Sequence, residues 1–113
     1  MSSFSMSIVE FQTDKQLFIN ERMKLALDIK TDVIPSEMNK LWKEEQLFLL
    51  KKKLLERYLQ GLPITQEKYR TYLKDGILAD FHSEFELFMD ENGVIHRQVT
   101  FLELPVIVPC VSL

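Results

Sequence analysis

The stretch SEMNKLWKEEQLFLLKKKLLERYLQG, residues 36–61, decides the fold predicted for this chain. It is typical of one helix of about seven turns, since Ser36 can cap the first turn and Gly61 can end the last. Residues 47–50 are all leucine or phenylalanine, so one turn is apolar on every side. A helix that is apolar all round is normally buried all round. We therefore expect the rest of the chain, or a partner, to cover this helix.

The apolar stripe of this helix changes direction along its length. Leu41, Trp42 and Leu49 share one side, whereas Leu55 and Leu59 lie about a third of a turn further round. A stripe that drifts this fast disfavours a simple coiled coil, because a heptad seam keeps one direction. We expect the two halves of the helix to meet different neighbours.

Two further helices and several strands are predicted around it. Thr13 with Gln16 forms a capping box that predicts a helix over residues 14–31, and Thr65 predicts a short helix over residues 65–75. Period-two alternation predicts an N-terminal strand over residues 3–11, in which Phe4, Met6 and Ile8 face one way and the serines between them face the other.

A C-terminal hairpin is predicted over residues 83–90 and 94–103. A loop of residues 91–93, with Gly93 left-handed, pairs Met89 with Ile95 and Phe85 with Val99, which keeps apolar side chains on one face. Arg97 then lies opposite Leu87 as the single misfit. Pro105 and Pro109 restrict residues 104–112 to an edge strand or arm. The chain is thus predicted to be α+β, with three helices on an antiparallel sheet of three or four strands.

The composition fits a single domain over residues 1–113. Apolar residues make up 46% and charged residues 27%, as in a globular protein, and the net charge of −3 gives no global field for capturing nucleic acid. One cysteine, Cys110, cannot form an internal disulfide, no apolar window of about 18 residues occurs, and the N-terminus lacks the features of a secretory signal. The sequence therefore predicts an intracellular, cytoplasmic protein without a membrane span.

Two charged groups of side chains are candidates for chemistry. His82, Glu84 and Glu86 alternate on one predicted strand and His96 lies on the next, an arrangement that could bind a metal or form an acid–base pair. Such residues also build the ordinary solvent face of a hairpin. The basic side of helix 36–60 could bind nucleic acid, but its lysines spread around the helix among glutamates. This basic set comprises Lys40, Lys43, Lys51, Lys52, Lys53 and Arg57.

The motifs of several enzyme classes are missing from the sequence. It contains no G-x-S-x-G, no glycine-rich phosphate loop and no C-x-x-C, and its three glycines each have a turn or cap to form. The last four residues resemble a prenylation signal at Cys110, but Ser112 takes the place of an aliphatic residue and no polybasic run precedes it. We expect no enzymatic activity, no cofactor, no bound metal and no prenylation.

The excess of apolar surface favours a non-enzymatic protein-binding or assembly subunit. A fully apolar helical turn and an apolar arm are much to bury in 113 residues. A small structural or accessory protein of a virus or phage, binding a protein partner or itself, fits this description. A nucleic-acid-associated regulator is the second hypothesis, and a metal-binding or acid–base enzyme is the third. The residues predicted to bind the partner are Trp42, Phe48, Leu49, Val106, Ile107 and Val108.

Overall fold

The chain adopts an α+β fold in which two helices cover one face of an antiparallel sheet. The computed structural model describes residues 4–27, 44–72 and 77–108. The elements in chain order are β1 (Met6–Glu10), β2 (Gln16–Ile19), α1 (Glu21–Ala26), α2 (Glu44–Leu59), β3 (Ile64–Tyr72), β4 (Leu78–Met89), β5 (Ile95–Phe101) and β6 (Val106–Ile107). The predicted fold class is confirmed, but the described residues contain two helices and six strands instead of three helices and three or four strands.

The strands form one sheet in the order β2-β1-β5-β4-β3, with β6 also paired to β4. Every pairing is antiparallel. Odd-numbered side chains of β4 and β5, such as Phe85 and Arg97, point to the face that carries the helices, which we call the inner face. Even-numbered side chains, such as His82 and His96, point to the outer face.

The predicted C-terminal hairpin is confirmed in its register. Met89 pairs with Ile95, Leu87 with Arg97 and Phe85 with Val99. The backbone N–H of Asp90 donates to the Val94 carbonyl at 2.9 Å. Gly93 has a φ of +79°, the left-handed conformation that the three-residue loop requires. The first strand of the hairpin begins at Leu78, five residues before the predicted start at 83.

The predicted helix over residues 65–75 is wrong, because residues 64–72 form β3. All nine residues of β3 pair with β4, and the alternating inward side chains include the buried Thr65 and Thr71. Thr65 does not cap a helix. Its hydroxyl instead accepts a hydrogen bond from Arg57 Nε at 2.8 Å. Threonine and tyrosine favour strands, and pairing with β4 outweighs the local capping signal.

The predicted helix over residues 14–31 is also wrong at its start. Residues 16–19 form β2, and α1 begins after Asn20, whose side chain accepts a hydrogen bond from the Met23 N–H at 2.8 Å. Asp14 lies in the β1–β2 turn with a φ of +59°. Residues 28–31 of this prediction lie outside the described residues.

The predicted N-terminal strand is confirmed as β1, but its buried side is the one that carries the serines. Ser5, Ser7 and Val9 are buried against the helices, whereas Met6 and Ile8 are half-buried on the outer face. Val9 and Phe11 share the odd phase of the serines, so these two large apolar residues determine which side turns inward.

The core consists of two clusters on the inner face of the sheet. Phe85 belongs to the cluster under α2, Phe81 belongs to the cluster under α1, and the partly buried Tyr69 and Val99 pack against both. The cluster under α1 contains Ile19, Met23, Leu27, Ala79, Phe81 and Phe101, and the cluster under α2 contains Phe11, Leu54, Phe85 and Leu87.

The long helix is present as α2, and its end is the predicted one. Gly61 has a φ of +81°, its N–H donates to the Tyr58 carbonyl, and the Leu62 N–H donates to the Arg57 carbonyl at 2.9 Å. This is a Schellman motif, which fixes how α2 leads into β3. Residues 36–43 of the predicted helix, Trp42 among them, lie outside the described residues.

The predicted C-terminal edge strand is confirmed in part. Val106 and Ile107 pair with Asp80 and Ala79 of β4, and the Val108 N–H donates to the Leu78 carbonyl at 2.9 Å. Residues 109–112 lie outside the described residues.

Candidate protein-binding surface

The outward side of α2 carries a stripe of apolar side chains. Phe48, Leu55 and Leu59 lie at positions i, i+7 and i+11, which brings them within about 40° of one another around the helix. Phe48 is 66% exposed and Leu59 is 75% exposed, while Leu55 is half-buried. Lys52 is exposed and lies between Phe48 and Leu55 along this stripe. We call these four residues the α2 stripe.

The turn predicted to be buried on all sides is instead exposed at Phe48 and Leu49 and half-buried at Leu47 and Leu50. Leu54, one turn further along α2, is 2% exposed against Phe85 and Leu87 of β4. Phe48 and Leu49 point away from that cluster and are both exposed. The sheet can cover only one side of a helix that lies on its surface, and no other described element lies over the outward side.

A groove of about 490 Å³ runs along the α2 stripe. It lies between α2 and the β1–β2 turn, and its walls are mainly apolar. Phe48 and Leu55 of the stripe form part of the wall, so the groove and the stripe are one continuous surface. The lining residues are Phe11, Asp14, Leu47, Phe48, Lys51, Lys52 and Leu55.

Charged side chains join α2 to the β1–β2 turn at this groove. Lys51 Nζ lies 2.9 Å from Asp14 Oδ2 and 5.2 Å from the centroid of the Phe11 ring. Arg97 Nη1 lies 3.4 Å from Asp14 Oδ1. Asp14 therefore faces two cations and holds them against the turn in which it adopts a left-handed backbone.

Arg97 is buried on the inner face of β5, with 3% of its surface exposed. Burial lowers the pKa of Arg97 below its ordinary value, while the neighbouring Asp14 acts in the opposite direction. Among the residues that the structure describes, its Nε atom has no hydrogen-bond partner. A buried guanidinium is expensive unless a carboxylate faces it, so Asp14 is the residue that makes this position tolerable.

Tyr69 completes the polar part of the inner face. Its hydroxyl is hydrogen-bonded to Ser83 Oγ at 2.8 Å, and its ring stacks on Phe81 at 5.2 Å. Burial raises the pKa of Tyr69 to about 12, although the Ser83 hydrogen bond and the charge of Arg97 both lower it. Tyr69 is therefore neutral at physiological pH.

The predicted partner-binding residues do not share one groove. Phe48 borders the groove described above, whereas Leu49 borders a second groove of about 500 Å³ with Tyr72 and Leu78. Val106 lines a third, on the outer face of the sheet, beside Arg70 and His82. Val106 and Ile107 are exposed and Val108 is half-buried. The arm and the helix thus present separate apolar surfaces.

The histidines and glutamates of the third hypothesis, a metal-binding or acid–base enzyme, each contact different residues. His96 lies opposite Phe88 and makes a 2.8 Å hydrogen bond with Asp90. This hydrogen bond holds the pKa of Asp90 below its usual value. His82 Nδ1 lies 3.8 Å from Glu103, while Glu84 and Glu86 face Thr100 and Gln98 across the sheet. In the described part of the chain, no group of three or more His, Cys, Asp or Glu residues could hold a metal ion.

The lysines of the nucleic-acid hypothesis are largely paired with acids. Lys51 pairs with Asp14, and Lys53 pairs with Glu67 of β3. Arg57 binds the Thr65 hydroxyl. Of the run Lys51-Lys52-Lys53, Lys52 alone has no ion pair among the described residues. Lys40 and Lys43 lie outside the described residues.

The contact between Asp14, Lys51 and Arg97 was not predicted from the sequence. Arg97 was recognisable as a charge on the apolar face opposite Leu87, and this was the one available signal. The capping pattern of Thr13 and Gln16 places Asp14 at the start of a helix, so the sequence does not indicate Asp14 as the partner of Arg97.

No known family model matches this chain, and no curated protein is similar to it in sequence. No helix within residues 4–27, 44–72 and 77–108 is long and apolar enough to cross a membrane.

Proposed function

We propose that this chain is a non-enzymatic protein-binding or assembly subunit whose main contact surface is the α2 stripe with its groove. The observation that carries the proposal is the exposure of Phe48 and Leu59, 66% and 75%, on the same side of a helix whose other side is core. Contiguous exposed apolar side chains on a folded domain are typical of interaction surfaces. An aromatic side chain at the mouth of an apolar groove is typical of the residues that dominate binding energy.

The surface is held rigidly, which favours binding. Leu54 anchors α2 to the sheet, the Schellman motif fixes its end, and the ion pair between Lys51 and Asp14 fixes the far wall of the groove. A partner that binds here therefore does not have to order the surface first, and less binding free energy is lost to entropy.

The arm supplies a second contact in this proposal. Val106 and Ile107 are exposed at 59% and 56%, and β6 is a short strand beside β4. A partner segment can add to such a strand through backbone hydrogen bonds, with its side chains against the exposed valine and isoleucine. Because this surface is separate from the α2 stripe, the two contacts can be removed independently.

The experiment is a quantitative pull-down from the native source with the tagged full chain and matched variants. Leu59→Ala and Leu25→Ala remove the same atoms from leucines that are 75% and 78% exposed, on α2 and α1 respectively. We expect Leu59→Ala and Phe48→Ala to reduce partner recovery by about tenfold or more, the effect of losing about 1.4 kcal/mol at a binding hot spot. Leu25→Ala is expected to leave it unchanged.

The arm is tested in the same assay by deleting residues 104–113. We expect a further loss of partner when this deletion is combined with Leu59→Ala. Equal recovery by Leu59→Ala, Phe48→Ala and Leu25→Ala would contradict the proposal for the α2 stripe, whatever the arm does.

A further inference from the structure

The α2 stripe has the spacing with which one helix packs against another. Phe48, Lys52, Leu55 and Leu59 occupy positions i, i+4, i+7 and i+11, which is the seam of two successive heptads. Phe48, Lys52 and Leu59 of this stripe are exposed, whereas Leu55 is half-buried and also packs against the core cluster under α2. Its two ends, Phe48 and Leu59, are the most exposed apolar residues of α2.

This stripe is complementary to itself when two copies run antiparallel. With a twofold axis level with Lys53 and Leu54, Phe48 of one copy lies opposite the partner's Leu59. In the same register Leu55 lies against the aliphatic stem of the partner's Lys52. A twofold interface repeats each contact, so both exposed ends of the stripe are covered at once.

The charges beside the stripe fit the same register. Lys52 and Glu56 are both exposed, and in the described part of the chain neither makes an ion pair or a hydrogen bond. The neighbouring Lys51 and Lys53, by contrast, are already paired with acids of their own chain. In the antiparallel register Lys52 lies within one residue of the height of the partner's Glu56, on the same side of the helix pair. The contact therefore brings opposite charges together twice.

We propose that a second copy of this chain docks on the α2 stripe as an antiparallel helix pair. Phe48, Leu55 and Leu59 supply the apolar contacts, and Lys52 with Glu56 supplies two ion pairs related by the twofold axis. The inference rests on the proposed function, since it names the partner of the same surface. A helix of this length spans about 24 Å. A single pair of such helices buries less surface area than most stable dimers, so we expect a dissociation constant in the micromolar range.

Sedimentation equilibrium of the full chain, from about 1 μM to about 1 mM, tests the pairing through a charge swap. Lys52→Glu and Glu56→Lys each place like charges together twice, and we expect each to raise the dissociation constant by about tenfold or more. The double variant restores opposite charges, so we expect it to return to within about threefold of the unaltered chain. Lys68→Glu, on the outer face of β3, makes the same charge change away from the stripe and is expected to leave dimerisation unchanged.

A chain that stays monomeric throughout this range overturns the inference. Dimerisation that Lys52→Glu weakens no more than Lys68→Glu, or that the double variant fails to restore, overturns it as well. Thermal unfolding of each variant identifies any loss of folding, and Leu59→Ala offers a neutral substitution that is expected to weaken the dimer at unchanged charge. If the chain is monomeric while a different protein still needs Leu59 for binding, the inference fails and the proposed function stands.

Discussion

The two sides of α2 both carry apolar side chains, but one side is buried and the other is exposed. Leu54 on the inward side is 2% exposed and belongs to the core with Phe85 and Leu87. Phe48 and Leu59 on the outward side are more than half exposed, and Phe48 borders an open groove. The same residue types therefore stabilise the fold on one side and remain available for binding on the other.

The difference arises from the way the sheet is built. A single layer of strands can bury one side of a helix, and α1 occupies a different part of the inner face, above Phe81 and Phe101. The apolar content of α2 exceeds what the described elements of the fold cover. Exposed apolar side chains lower the solubility of a protein and do not stabilise its fold. Such side chains are typical of binding surfaces.

The largest expected effect is a loss of folding stability when Leu54, on the inward side of α2, is substituted. Leu54→Ala removes a buried side chain and leaves a cavity between α2 and β4, so we expect it to lower the free energy of unfolding by about 2–5 kcal/mol. Urea denaturation measures this. A loss below about 1 kcal/mol would show that the inward side of α2 is not a packed core.

The second prediction concerns the charges that tie the inward side to the β1–β2 turn. Asp14→Asn preserves the left-handed backbone, which asparagine tolerates, but removes the carboxylate that faces Lys51 and the buried Arg97. We expect a loss of about 1.5–3 kcal/mol in the free energy of unfolding, the usual contribution of hydrogen bonds to charged groups.

Asp80→Asn provides the matched control for this substitution. Asp80 also pairs with an arginine, Arg70, but both side chains are about half exposed. Solvent screens a surface ion pair, so we expect Asp80→Asn to lower the free energy of unfolding by clearly less than Asp14→Asn does. Equal effects of Asp14→Asn and Asp80→Asn would contradict the structural role of Asp14.

The third prediction follows from the pKa of Tyr69. Burial raises this pKa from 10.0 to about 12 in the folded chain, so the folded state binds more protons than the unfolded state between these pH values. The contribution of neutral Tyr69 is complete below pH 10 and is lost as the pH rises towards 12. We expect the unaltered chain to lose about 1 kcal/mol relative to Tyr69→Phe by about pH 11, measured by urea denaturation. Parallel stability curves for the two proteins would contradict the burial of this hydroxyl.

The smallest expected effect is on the outward side. Leu59→Ala removes the same atoms as Leu54→Ala from the same helix, but from a side chain that is 75% exposed. We expect the free energy of unfolding to change by less than about 0.5 kcal/mol. A loss as large as that of Leu54→Ala would show that the outward side is structural and would weaken the case for a binding surface.

The sequence predicted the parts of this fold whose signals are local and agree with each other. The β4–β5 register follows from the alternation of Phe85, Leu87 and Met89 together with Gly93, and the end of α2 follows from Gly61. In both cases the turn residue and the apolar pattern indicate the same structure.

The errors occurred where a capping signal conflicted with long-range pairing. Thr13 and Thr65 both resemble helix caps, but the residues after them pair as strands with β1 and β4. A cap contributes about 1 kcal/mol, whereas nine paired residues of β3 gain a complete ladder of hydrogen bonds and an inward-facing Tyr69.

For the candidate site, the sequence predicts two exposed residues of α2, Phe48 and Leu49, but neither Leu59 nor the surroundings of the helix. The expectation that the apolar turn is covered on every side does not hold for Phe48 or Leu49. The groove depends on the β1–β2 turn, where Phe11 and Asp14 lie far from α2 in the chain. The periodicity within one segment does not show which distant segment it packs against, so the sequence alone does not predict this groove.

Site-specific photo-crosslinking shows directly whether the outward side of α2 is an interface. A photoreactive amino acid is placed at position 48 or, as the control, at position 25 of α1, and each protein is irradiated in an extract of the native source. We expect a covalent adduct of defined mass at position 48, either with a second copy or with another protein, and none at position 25. An absence of any adduct at position 48, or the same adducts at both positions, would contradict this expectation.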